Sequence, residues 1–125
     1  MSTPKLKLQY QVVDAINNLH RNFEDMKEEN RHGADKYFHA KAHAEAAQRG
    51  WVSDFVVNYL STGREILQAA KYLIVKGDSL KDTWKDVSED FMANQYGRFQ
   101  GLEYPDKPAK ELVKKYRIPG IDEKY

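Results

Sequence analysis

The chain has no cysteine, which excludes disulfides, iron–sulfur clusters, thiolate zinc sites and cysteine nucleophiles. Proline is scarce, and apart from Pro4 it stands only at 105, 108 and 119, so the long middle of the sequence carries none of that helix breaker. A dominant sign of charge is missing too. Twenty basic and nineteen acidic residues leave a net charge of +1, and no broad field would steer the chain onto nucleic acid. Nowhere do about 18 apolar residues run together as a membrane span requires, and the opening MSTPKLKLQYQVVDA has no apolar stretch of secretory-leader length. On this reading the protein is expected to be cytoplasmic, with export by a non-classical route left open.

What is present favours helix. Hydrophobic residues make up 41% and charged residues 31% of 125 positions, enough apolar surface for one core, and a single domain over 1–125 is expected. Leu8, Val12, Val13, Ile16, Leu19, Phe23 and Met26 follow helical spacing and predict a first helix over about 7–30, closed by Asn30-Arg31-His32-Gly33. A second helix, about 34–48, holds alanines at 40, 42, 44, 46 and 47 with Tyr37 and Phe38 as its bulky anchors. A third is expected over about 51–75, interrupted at Gly63. A fourth, over about 79–95, would start from Asp78 or Ser79 and bury Leu80, Trp84, Val87, Phe91 and Met92. The tail, 98–125, is expected to be ordered and to wrap the bundle through Tyr116, Ile118 and Ile121, with a short helix at about 107–115 capped by Asp106. The fold class is therefore all-α, a four-helix bundle.

Chemistry concentrates at Asp35, His39 and His43, which stand four apart on one helix face. Two histidines at that spacing reach one metal, but Ala40 stands where a zinc protease needs its glutamate, and neither a metal nor a cofactor is expected. Asp35 instead reads as a helix cap that helps hold His39. Trp51, Phe55 and Trp84 are candidates for an apolar binding surface, although aromatics at helical spacing more often belong to a core. The first-helix stripe has the same two readings, a lipid-docking face or one wall of the core, and the wall is favoured.

The runs Asp25-Met26-Lys27-Glu28-Glu29-Asn30, Gly33-Ala34-Asp35-Lys36-Tyr37-Phe38-His39-Ala40 and Ala46-Ala47-Gln48-Arg49-Gly50 resemble the serum amyloid A family. So do Gly63-Arg64-Glu65-Ile66-Leu67-Gln68, Ala93-Asn94-Gln95-Tyr96-Gly97-Arg98 and the final Asp122-Glu123-Lys124-Tyr125. The resemblance implies a four-helix bundle wrapped by its tail, with Asp35, Tyr37, His39, Asn94, Gly97 and Arg98 as structural determinants. It also implies a non-enzymatic module that self-associates, or binds lipid, an apolar small molecule or a protein partner, and it makes Arg64 a counterpart of a heparin-contacting residue. Asp35 and His39 at one helix start, with Ala93-Asn94-x-x-Gly97 at another's end, also resemble C-terminal modules of bacterial polymorphic toxins. That alternative makes Asp35, His39 and Asn94 an active cluster and suits a bacterial or phage-borne effector.

Overall fold

The segment rich in alanine, Asp35–Gln48, forms α2, and its small side chains decide how the bundle closes. In the computed structural model, which describes residues 7–31, 33–74, 77 and 79–125, α1 spans Leu8–Glu29, α3 Trp51–Ile74 and α4 Leu80–Glu103. A short α5, Ala109–Leu112, and a 3₁₀ turn, Lys114–Tyr116, follow in the tail. Among the described residues there is no strand, and the fold is an all-α bundle of four long helices.

The tightest helix pair is α2 with α4, and its surface is made of what is small. Ala40 and Ala44 of α2 face Gly97 and Gly101 of α4, where an added Cβ would drive into the carbonyls of Ala40 and Ala44. Backbones that approach this closely leave no room for a branched side chain. This overturns two sequence expectations. α4 does not end near 95; it runs on to Glu103, because Gly97 and Gly101 are packing sites and not stops. Nor does α4 bury its large apolar residues. Leu80, Trp84, Phe91 and Met92 are exposed and Val87 is half-buried, while Thr83, Ala93, Asn94, Gly97 and Gly101 face inward.

The same inversion affects α1 and α3. Ala15 and Leu19 of α1 pack with Ala42 and Ala46 of α2 and Val57 of α3, and Phe23 and Met26 are half-buried, but Leu8, Val13 and Ile16 are exposed. The first-helix stripe is thus a core wall only in its second half. On α3 the core reading of the aromatics fails: Trp51, Phe55 and Tyr59 are 77%, 65% and 71% exposed. α3 runs without a break through Gly63, where nothing lies within 4 Å of an added Cβ. Its expected end at Val75, and the possible cap Asp78, lie outside the described residues.

Helix ends follow local chemistry. Ser79 caps α4, its hydroxyl accepting from the Asp82 amide at 3.1 Å. Asn30 takes the left-handed conformation at the end of α1, with φ of 46°. Asp35 is not a cap: Ala34 precedes α2, and the Asp35 carboxylate accepts from Lys36 Nζ at 3.1 Å. Pro108, not Asp106, stands at the cap position of α5. Beyond it the tail is tied down at its far end. The Tyr37 hydroxyl donates to the Tyr125 carbonyl at 2.8 Å, and Arg117 donates to the Tyr37 oxygen and to the Ile121, Asp122 and Tyr125 carbonyls at 2.9–3.2 Å. The rings of Phe38 and Tyr125 meet edge to face at 5.4 Å.

Candidate functional site

Two surfaces carry chemistry, one polar and one apolar. The polar one begins at the first turns of α2, which place His39 inside the bundle, 4% exposed. α3 brings Glu65 to it, with the carboxylate Oε1 3.9 Å from His39 Nδ1, and α4 brings Asp90. Nδ1 or Nε2 of His39 and one oxygen each of Glu65 and Asp90 lie within 4.8 Å of one another. A cavity of about 260 Å³ adjoins the three, lined also by Met26, Lys36 and Arg64. Burial is the largest influence on His39 and keeps it below the usual imidazole range; the nearby charge of Asp90 works against this lowering and that of Arg64 adds to it. Burial pushes the Glu65 carboxyl up to about 7, and the neighbouring Asp90 carboxyl adds to the rise.

The structure separates residues that the sequence grouped. No hydrogen bond joins Asp35 to His39 among the described residues; Asp35 pairs with Lys36, which also bonds Asp90. His43, one turn beyond His39, bonds Ser61 Oγ at 3.0 Å through Nε2. Asn94 is buried, its Oδ1 without a partner, and it lines the apolar groove instead. Arg98 Nε donates to both oxygens of Asp54 at 2.9 and 3.0 Å. The companions of His39 are thus Glu65 and Asp90, which sequence reasoning missed. Their spacing from His39 along the chain carries no signal, since only the packing of three helices brings them together.

The apolar surface consists of the side chains that the small-residue core left outside. Trp51, Phe55 and Tyr59 stand one turn apart on α3, and the Phe55 and Tyr59 rings stack with centroids 6.4 Å apart. α1, which packs against α3, adds Leu8, Val13 and Ile16. Between α3 and α4 an apolar groove of about 470 Å³ is lined by Ile66, Trp84, Val87, Phe91 and Met92. Arg64 is half-buried, its guanidinium 4.4 Å above the Phe23 ring. No described helix is long and apolar enough to cross a membrane.

A protein-family model described as "Serum amyloid A protein" matches residues 6–125. The serum amyloid A protein of sheep (Ovis aries) is 32% identical over 115 residues, covering 92% of this chain and 94% of the sheep protein. Serum amyloid A-3 protein of cattle (Bos taurus) is 36% identical over 94 residues, 70% of this chain and 72% of its own length. The serum amyloid A protein of the duck Anas platyrhynchos is 36% identical over 117 residues, covering 91% of this chain and 78% of the duck protein. These relatives overturn the cytoplasmic placement. It rested on the make-up of a few N-terminal residues, whereas the family model over residues 6–125 and the sheep protein matching 92% of the chain are named for serum. Ruminant and bird relatives likewise give no support to a bacterial or phage-borne origin, and the effector alternative is not favoured. The match spans the bundle and its tail alike, and the chain belongs to the serum amyloid A family.

Proposed function

We propose that this protein binds lipid surfaces through the apolar side chains that α1 and α3 present outward. The observation that carries this reading is the stripe of Trp51, Phe55 and Tyr59, all more than half exposed on successive turns. Soluble monomers seldom leave such a row uncovered, and withdrawing each aromatic from water contributes about 1.5–3 kcal/mol. Leu8, Val13 and Ile16 are exposed on α1, the helix that packs beside α3. Aromatic rings suit the boundary between headgroups and acyl chains. Self-association would use the same side chains, so the two are separated by measurement. Light scattering and tryptophan emission of the purified chain, with and without phosphatidylcholine vesicles, make the comparison. A blue shift with vesicles, lost in a Trp51→Ser/Phe55→Ser variant that keeps its helix content, is expected. Vesicle-indifferent emission overturns the lipid reading.

The groove between α3 and α4 favours a second reading, a small apolar ligand or a single acyl chain, because its lining is almost wholly apolar and includes Trp84, Phe91 and Met92. A naturally fluorescent fatty acid tests it, with Phe91→Ser expected to weaken binding. The counterpart role of Arg64 in anion binding is a separate proposal, tested by retention of Arg64→Gln on immobilised heparin.

A further inference from the structure

We propose that His39, Glu65 and Asp90 form a binding site for one divalent transition-metal cation of the zinc type, enclosed by α2, α3 and α4. Each helix contributes one donor, and the three donor atoms converge within 4.8 Å. A four-coordinate site with bonds of about 2.0–2.2 Å sets its ligand atoms roughly 3.3–3.6 Å apart, so small side-chain rotations close the geometry. A second observation points to the same ligand. Glu65 is 6% exposed and its Oε1 has no hydrogen-bond partner, a costly state for a buried carboxyl oxygen that a cation would relieve.

Charge agrees with a divalent ion. Asp35, Glu65, Asp86 and Asp90 line the cavity against the cations Lys36 and Arg64, so acidic side chains outnumber basic ones around it. Lys36 also donates to Oδ1 of Asp90. The cavity of about 260 Å³ has room for a water as the fourth ligand. One imidazole nitrogen with two carboxylates suits zinc and its neighbours, whereas calcium and magnesium take oxygen ligands alone. Nothing in this site depends on the lipid-binding surface.

The test is calorimetric titration of zinc chloride into the full chain, beside Glu65→Gln, Asp90→Asn and, as a control on the exposed His20–Glu24 pair, His20→Gln. One zinc per chain is expected, with affinity falling about tenfold or more in the two carboxylate variants and unchanged in His20→Gln. Zinc should raise the melting temperature of the wild type, and cobalt should give the visible absorption of a four-coordinate ion. Absence of saturable zinc binding, its survival in both carboxylate variants, its loss in His20→Gln, or tighter binding of calcium overturns the site. Should a variant fail to fold, imidazole resonances of the wild type decide. Zinc-dependent shifts at His39 support the proposal, and shifts confined to His20 overturn it.

Discussion

His39 and His43 lie one turn apart on α2, and sequence spacing alone treats them as a pair. Their surroundings divide them: His39 faces two carboxyls, while His43 is 1% exposed and meets Ser61. Burial, with smaller contributions from His39 and Arg98, lowers the His43 pKa from 6.5 to about 3. In the folded protein His43 therefore stays neutral where the unfolded chain takes up a proton. Its contribution to stability is present above pH 6.5 and is lost as the pH falls from about 6.5 to about 3, at up to roughly 1.4 kcal/mol per pH unit. Glu65, raised from 4.5 to about 7, slopes the other way, its contribution being lost as the pH rises through that range. The His43 effect is thus read as the difference in urea-unfolding free energy between wild type and His43→Gln across pH 7 to 4. That difference should shrink as the pH falls, and a constant difference would show that His43 does not titrate in this way.

At the scale of helices, much was legible and one rule misled. Periodicity found the helical segments, and the alanines of α2 marked a helix with few bulky side chains. Placing large apolar residues of α4 inside assumed that bulk marks the core. Where two backbones touch through Ala40, Ala44, Gly97 and Gly101, the buried face is instead the one with least side chain, and Trp84 and Phe91 are displaced outward. Gly97→Ala should destabilise by about 3 kcal/mol or more, or prevent folding. Gly63→Ala is the opposite case, an open position in mid-helix, and should stabilise by about 0.5–1 kcal/mol. Thermal and urea melts of the two variants give the comparison, and equal effects would remove close approach as the explanation. The polar cluster was half legible: His39 was singled out, but Glu65 and Asp90 join it only through tertiary packing.

For the molecule as a whole, the tail is the closing element. Tyr37 and Arg117 bind its last carbonyls, and Lys124 pairs with Glu28 of α1 at 2.8 Å. Tyr116, Ile118 and Ile121 were readable as pins, and they do lie against the core cluster of α2. The clamp at Tyr37 could not be read, since its partners, the Arg117 side chain and the Tyr125 carbonyl, lie 80 and 88 residues on. Arg117→Ala should raise the rate of protease cleavage after residue 104 several-fold while leaving helix content intact. Unchanged cleavage would mean that the apolar pins alone hold the tail.

The alanine and glycine contact between α2 and α4 has a thermodynamic consequence. Such residues have no rotamers to freeze, so ordering their side chains on folding costs essentially nothing. The long apolar side chains outside retain their freedom in the free protein and give it up only when something covers them. Folding and surface binding therefore carry separate entropic costs. Calorimetry of the folded chain should show an unusually small heat-capacity change of unfolding for its length, and vesicle binding should add a distinct negative heat-capacity change of its own.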